Sequence, residues 1–378
     1  MRIDRIETFF VPPRWLFVRV EADDGSFGWG EASLEGHAEA VDGAFAALRD
    51  RFLGADPRRI EDAWQVGYRG GFYRGGPVLM SALSGLDQAL WDLKGRRLGL
   101  PVHELLGGRV REQVQAYAWI GGDRPDDVAE QAAARRAQGF SAVKMNATAE
   151  VDWMSPPGAD AVASRVEAAQ AQGMEVGLDF HGRLHRGSSR RLARALDGMG
   201  LMFIEEPVLS ENWEALAHIA PQLSTPLALG ERLYSRWDFR PILASGLVDI
   251  VQPDLSHAGG ISECRRIAAL AECHDVAVAP HCPLGPLALG ACLQLAGCTP
   301  NVVLQEVSLG IHYNQGHDLL SFVRNPEVLS PVGGQLAIPV GPGLGVEIDE
   351  ALVREADRER HRWRNPVWRN PDGSFAEW

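Results

Sequence analysis

Three short apolar runs in the middle of the chain each end on a carboxylate: Val176-Gly-Leu-Asp179, Leu201-Met-Phe-Ile-Glu205 and Leu227-Ala-Leu-Gly-Glu231. Asp179 and Glu205 are 26 residues apart, and so are Glu205 and Glu231. Each interval has room for one helix. A strand, a functional residue at its C-terminal end, a helix and the next strand is the rhythm of a (β/α) barrel, whose catalytic groups come from the ends of different strands. Acids after strands also serve as helix N-caps. Three of them converging on one barrel mouth repel one another unless a cation lies between them, and an all-oxygen set suits a hard divalent ion, Mg²⁺ above all.

The rest of the chain supplies enough strands for that barrel. From residue 114 the candidates are Val114–Ile120, Ala142–Lys144, Val176–Asp179, Met202–Glu205, Leu227–Gly230, Asp249–Gln252, Val276–Ala279 and Val302–Gln305. Eight strands close a ring. Helical periodicity fills most gaps, as in Val128–Gln138 and Ser262–Glu272. Residues 1–110 read differently. Arg2–Val11, Leu16–Ala22 and Gly28–Ala32 alternate as strands, and Asp24-Gly25 between the last two is a hairpin signal. Ala44, Phe45, Leu48 and Phe52, then Leu83, Leu86, Leu90 and Leu93, make apolar helix faces. After the eighth strand the pattern dissolves into a Gly-, Pro- and Trp-rich tail, expected to leave the barrel and pack on the N-terminal unit, with Trp363, Trp368 and Trp378 holding it down. Gly341-Pro-Gly-Leu-Gly345 lacks the strand–helix context of a dinucleotide loop.

Further residues with chemistry sit at the same strand ends. His181 follows Asp179 by two positions, so an extended segment would turn both side chains to one side, where an imidazole can exchange protons near neutrality. His281 follows strand seven and Asp254 strand six; adjacent strand ends bring them within hydrogen-bond reach, and a carboxylate partner fixes the imidazole tautomer and raises its basicity. Glu306 ends strand eight, as a further metal ligand or as a protonated acid donating to a substrate oxyanion. Lys144 ends strand two in a chain with two lysines against thirty-five arginines. A base, a substrate clamp and a counter-charge for the acids all remain open for it. Asn146 faces the same way and can bind hydroxyls.

Composition excludes several alternatives. The 46% apolar content suits a large core, and a net charge of −13 without a basic run argues against nucleic acid as a partner. No apolar run reaches the ~20 residues of a membrane span, and Met1-Arg-Ile-Asp-Arg-Ile-Glu7 lacks the apolar core of a secretory signal. The five cysteines lie between Cys264 and Cys298 without a Cys-x-x-Cys pair, against a disulfide scaffold or zinc site, and Cys282 is expected as a buried thiol. A reduced, cytoplasmic protein is the expectation.

Taken together, these features resemble the enolase superfamily, mandelate-racemase subgroup, from end to end. The matching stretches are Pro12-Pro-Arg-Trp15, Gly71-Phe-Tyr-Arg-Gly-Gly-Pro77, Leu178-Asp-Phe-His-Gly-Arg183, Phe203-Ile-Glu-Glu-Pro207 and Gln252-Pro-Asp-Leu-Ser-His-Ala-Gly-Gly260. Ala279-Pro-His-Cys-Pro-Leu-Gly-Pro286, Gly310-Ile-His-Tyr-Asn314 and Ala376-Glu-Trp378 complete them. The resemblance implies an α/β fold, a modified TIM barrel (β/α)7β over residues 113–330. An α+β capping domain (1–112) would be completed by the tail (331–378). It implies dehydration of an acid sugar, D-galactonate, with Asp179, Glu205 and Glu231 holding Mg²⁺ and His281, sharpened by Asp254, as the base at C2. His181 would be the acid for the departing 3-hydroxyl and Glu306 the transition-state stabiliser. Racemases of the subgroup carry a lysine where this chain has Asn146, which counts against racemisation. Arg14, Tyr73 and Arg74 of the cap loops (12–16 and 69–76), with Lys144 and Asn146, are the substrate-binding candidates. The segment Ala147–Gly158 departs from the family pattern, and the choice of sugar configuration is expected there and in the cap loops. The family also implies a homo-oligomer.

Overall fold

The structure is a computed structural model that describes residues 1–122, 124–147 and 158–377. Most of the divergent segment Ala147–Gly158, and Trp378, lie outside the described residues. At the N-terminus β1 (Ile3–Val11), β2 (Trp15–Ala22) and β3 (Phe27–Glu31) form an antiparallel sheet in that order. The β2–β3 turn is held by Asp24, whose Oδ1 accepts from the backbone N–H (3.1 Å) and hydroxyl (2.5 Å) of Ser26. Helices α1 (Ala38–Phe52), α2 (Ile60–Arg69) and α3 (Pro77–Leu98) follow.

α3 joins this cap to the barrel. Its leucines at 83, 86, 90 and 93 are buried as their spacing predicts, but Ser84, Asp87, Gln88 and Asp92 on its other faces are buried too. Buried polar groups need partners, and these find them across the joint. Ser84 Oγ accepts from Gly259 N (2.8 Å), Asp87 Oδ2 from Ser262 N (3.0 Å), and Asp92 Oδ1 from Leu344 N (2.7 Å); Gln88 Nε2 donates to Leu255 O (3.0 Å). On the opposite side β3 lies directly on α3, because a Cβ at Gly28 or Gly30 would collide with the α3 backbone.

After the single turn α4 (Val102–Leu105) the chain enters the barrel. Its order is β4 (Gln113–Ile120), α5 (Pro125–Ala137), β5 (Ala142–Asn146), α6 (Ala159–Ala171), β6 (Glu175–Asp179), α7 (Arg186–Leu196) and β7 (Ile204–Glu205). It continues with β8 (Leu227–Leu229), α8 (Arg236–Ser245), β9 (Ile250–Val251), α9 (Gly260–Glu272), β10 (Ala277–Val278), α10 (Pro286–Cys298) and β11 (Leu304–Val307). The strands run parallel in the order β10-β9-β8-β7-β6-β5-β4-β11, and a bridge between Val278 and Val302 closes the ring. Among the described residues only a 3₁₀ turn, Pro326–Leu329, and no α-helix lies between β11 and the tail, so the architecture is (β/α)7β. One crossover departs from expectation. Between β7 and β8 there are two 3₁₀ segments, Ser210–His218 and Ala220–Gln222, because Asn212 leaves the helical region (φ −125°, ψ 38°) and Pro221 removes a donor.

The barrel interior is filled by side chains such as Tyr117, Phe203, Ala228 and Leu304. Gly177 makes room there: a Cβ on it would stand 2.6 Å from the Phe203 ring. Beyond β11, β12 (Gln335–Ala337) pairs antiparallel with β4, and Gly343 bridges to Pro101. α11 (Glu350–Asp357) then packs on β1, where Arg354 Nη2 meets Glu7 (3.0 Å) and Asp357 Oδ1 accepts from Phe10 N (2.7 Å). Among the described residues no helix is long and apolar enough to cross a membrane.

Candidate active site

Parallel register fixes where the strand ends arrive. Asn146 pairs with Asp179, and Asp179 with Glu205, so their backbones stand side by side at the C-terminal rim. Lys144, two residues before Asn146, points into the barrel and is buried. Its Nζ donates to both oxygens of Glu205 (2.9 and 3.1 Å) and lies 3.0 Å from Glu306 Oε1 and 3.4 Å from Asp179 Oδ2. Burial opposes its charge, but Glu205 and Glu306 outweigh that and hold its pKa well above the ordinary lysine value. These contacts set Lys144 among the acids as a counter-charge, and it also lines the cavity at the barrel mouth.

The carboxylates remain overcrowded even so. Burial, then the neighbouring Asp179 charge, pushes Glu205 well above the usual carboxylate range. Asp179 Oδ2, Glu231 Oε2 and Glu306 Oε1 are buried and accept no hydrogen bond; the cations near them lie off the direction such a bond requires. Buried acceptors without donors, aimed at one space, are what a divalent ion satisfies. Ligand atoms of Asp179, His181 and Glu231 lie within 4.8 Å of one another, forming a candidate metal triad. Glu205, expected in the set, is engaged by Lys144 and by Gln252 Nε2 (2.7 Å).

His181 reaches the mouth by a different route from the one its spacing implies. β6 stops at Asp179, and His181 is not extended but left-handed (φ +49°), held by its own N–H donating to Asp179 Oδ1 (2.8 Å). A β-carbon-bearing residue in that region is strained, a cost found at functional sites. Its Nε2 stands 3.1 Å from Asp179 Oδ2. Burial pushes the imidazole down to about 4 against the pull of Asp179 and Glu231. His185 accepts from Gly187 N and caps α7.

His281 and Asp254 meet as the strand order requires, His281 Nδ1 being 2.9 Å from Asp254 Oδ2. The other ring nitrogen is 3.2 Å from Glu231 Oε2 and 4.0 Å from Glu306 Oε2. Burial opposes protonation of His281, but Glu231, Glu306 and Asp254 outweigh it and raise its pKa well above the ordinary value. Glu231 is held well below the carboxylate range: burial opposes this, and His281 and His181 outweigh it. Glu306 Oε2 accepts from Cys282 N (3.0 Å), and Cys282 itself is a buried free thiol. In the ring order β6 and β10 are four strands apart out of eight, so His181 and His281 face each other across the mouth with Glu231 between them.

Of these groups Lys144, His181, Glu231, His281 and Glu306 line one cavity of about 300 Å³. Arg14 lines it as expected. Tyr73 and Arg74 do not: both are exposed, Tyr73 at 85%, and they border a separate cavity with Tyr68, Leu79 and Met80. Gly75 and Gly76 take left-handed φ (77° and 80°), and that loop borders α1, α2 and α3 instead of the cavity at the barrel mouth. Asn146 faces a neighbouring hollow with Arg165 and Trp368, its Oδ1 buried and accepting nothing. Sequence reasoning missed Glu35, Arg183, Arg232, His257 and Tyr313, which also line the cavity. Arg183, His257 and Tyr313 fall inside the stretches quoted above, but an arginine, histidine or tyrosine beside a stronger candidate carries no distinguishing local signal. His257 Nε2 lies 3.6 Å from Asp254 Oδ2, the oxygen that His281 also meets, and 3.5 Å from Glu35, and both carboxylates raise its pKa against burial.

Comparison with known proteins agrees with this geometry. A profile of the mandelate racemase / muconate lactonizing enzyme N-terminal domain matches residues 12–107, and one described as enolase C-terminal domain-like matches 127–352. The chain belongs to the mandelate racemase/muconate lactonizing enzyme family. This family member is 53% identical over 382 residues to the D-galactonate dehydratase of Ralstonia nicotianae, and 50% to that of Pectobacterium atrosepticum. All of each chain is covered in both cases. Among solved structures, an Agrobacterium radiobacter enolase provisionally assigned as a galactarate dehydratase, with sodium and L-malate bound, superposes with a TM-score of 0.91. It is 32% identical, over 100% of both chains.

Proposed function

We infer that the protein is a magnesium-dependent hydro-lyase that converts D-galactonate to 2-dehydro-3-deoxy-D-galactonate and water. The observation that carries the reading is the pair of opposed imidazoles, one of them bonded to Asp254, with buried, donor-starved carboxylates between them. A hard ion takes oxygen ligands, so Asp179, Glu205 and Glu231 are assigned to Mg²⁺, and His181 is kept for proton transfer. When bound, the ion supplies positive charge against the second negative charge that develops on the substrate carboxylate.

The residues divide the remaining work. His281 Nε2 removes the C2 proton, with Asp254 holding the ring through Nδ1. Glu231 is the largest influence keeping His281 protonated, so a cation held there would leave burial to favour the neutral base. Lys144 keeps Glu306 and Glu205 compensated, and Glu306 faces the carboxylate end of the substrate. His181, on the other wall, delivers a proton to the 3-hydroxyl as the C3–O bond breaks, so the group leaves as water; it enters this step as the imidazolium, the form that Asp179, Glu231 and a bound anionic substrate favour against burial. The resulting enol tautomerises to the 2-keto acid.

A keto-acid assay with Mg²⁺ across galactonate, gluconate, mannonate, arabinonate, fuconate and galactarate tests the assignment. Turnover of galactonate above the others, abolished by EDTA, is expected. Preference for another acid would move the substrate assignment and keep the chemistry; exchange of the C2 proton without loss of water would indicate a racemase.

A further inference from the structure

The cavity has two ends of different chemistry. At the barrel end stand the acids and histidines. The other end is lined by Leu34 and Glu35 of the cap and by the C-terminal tail, whose Asn365 and Glu377 stand beside Arg14. Arg14 is fixed on every side: its side chain is 3% exposed, Nη2 donates to Pro283 O (2.7 Å), and Nη1 meets Glu35 (3.3 Å). Its guanidinium lies 5.1 Å from the Tyr313 ring and 5.5 Å from that of Trp363, and those two rings meet edge to face at 5.9 Å. Its Nε is buried and donates to nothing.

The tail that brings Trp363 there is anchored on both flanks. Arg364 forms two bonds to Glu39 of α1 (2.6 and 3.1 Å). Further on the chain folds back on itself through an antiparallel bridge between Arg369 and Phe375, and Trp368 covers Arg183 at 4.7 Å. A two-flank anchor that delivers an aromatic ring onto a cavity arginine exceeds what packing down a loose end requires.

We propose that residues 361–377 form the far wall of the substrate site, and that Trp363 is a positioning residue which holds Arg14 as the donor to the hydroxyls farthest from the reacting carbons. The proposal rests on the acid-sugar reading above. A polyol of six carbons presents hydroxyls well beyond C3, and a guanidinium packed against a contacting pair of rings loses little freedom on donating to such a hydroxyl. Recognition of chain length and distal configuration is thereby placed on the tail as well as on the cap.

The test uses the full chain and three variants, Trp363→Ala, Trp363→Phe and Arg364→Ala, each checked for unchanged melting temperature. With galactonate and Mg²⁺, Trp363→Ala is expected to raise KM about tenfold while kcat stays within about threefold. Trp363→Phe is expected to restore KM to within about threefold, and Arg364→Ala to raise it by a smaller factor. An unchanged KM in Trp363→Ala overturns the proposal. So does a fall in kcat that Trp363→Phe does not rescue, which would mark a general packing role. Where Trp363→Ala does not fold, an unchanged KM in Arg364→Ala overturns it instead. If the wild type is inactive on galactonate, the functional reading fails by itself. Hydrogen exchange in 361–377 then decides the tail's role: added protection by whichever panel acid raises the melting temperature supports it, and none by any acid overturns it.

Discussion

Lys144 shows how one side chain constrains the chemistry around it. A buried ammonium ringed by Glu205, Glu306 and Asp179 is held in its charged form by three carboxylates, which disfavours a role as base. Removing one partner of a buried ionic cluster typically costs about 3–5 kcal/mol. Lys144→Met should therefore melt several degrees lower in EDTA and recover part of that loss with Mg²⁺; equal melting temperatures in EDTA would remove the counter-charge role. Glu205 and His181 compete for one place beside Asp179 and Glu231. Titration calorimetry on Glu205→Gln should show Mg²⁺ affinity reduced at least about tenfold, with His181→Asn within about threefold of wild type; the reverse pattern transfers the ligand role to the imidazole. His281→Asn should abolish solvent exchange at C2, whereas His181→Asn should keep exchange and lose dehydration. Loss of both activities in both variants would undo the division of roles.

At the scale of elements, helix ends tie the cap to the barrel. Glu31, at the end of β3, accepts from Ser33 Oγ (2.7 Å), Gly285 N (2.8 Å) and Ala288 N (3.0 Å), capping α10 from another sheet. Asp87 of α3 does the same for α9 through Ser262. Burial, only partly offset by these bonds, pushes both carboxyls up to about 7. The folded pKa then exceeds the unfolded one, so between about pH 4.5 and 7 the folded state binds more protons and stability falls as pH rises. For Glu31 the change is on the order of 3 kcal/mol. Denaturant midpoints of Glu31→Gln should vary less than wild type across that window, and an identical slope would show that Glu31 stays ionised throughout. Glu31→Ala, which also discards the cap, should be destabilised at every pH in the window.

At the scale of the molecule, the acids at the barrel mouth make folding and metal binding one equilibrium. An ion that binds only the folded state stabilises it by about 2.7 kcal/mol at a hundredfold excess over Kd. For a chain of 378 residues that is a rise of a few degrees in melting temperature over EDTA. No difference between Mg²⁺ and EDTA would argue that the acids are compensated by Lys144, Arg232 and the histidines alone.

The barrel was legible in the chain because its evidence is local. A short apolar run ending on an acid, as at Asp179, Glu205 and Glu231, announces its side chain's destination, and eight strand units in succession close into a ring. The His281–Asp254 pair was legible for the same reason, since adjacent strands in sequence are adjacent in the ring. Local patterning misled where an irregular backbone took over. The Gly-rich 69–76 loop carried Tyr73 and Arg74 away from the mouth, a left-handed turn and not an extended segment placed His181, and Pro221 with Asn212 left the β7–β8 crossover without an α-helix. The partner of Lys144, the neighbours of His257 and the seat of Trp363 lie 61, 222 and 349 residues away along the chain, at Glu205, Glu35 and Arg14. Apolar period and turn chemistry dictate the elements and their order. Which charges share one buried space depends on the closure of the ring and on the return of the tail across it, and no local stretch of residues encodes that.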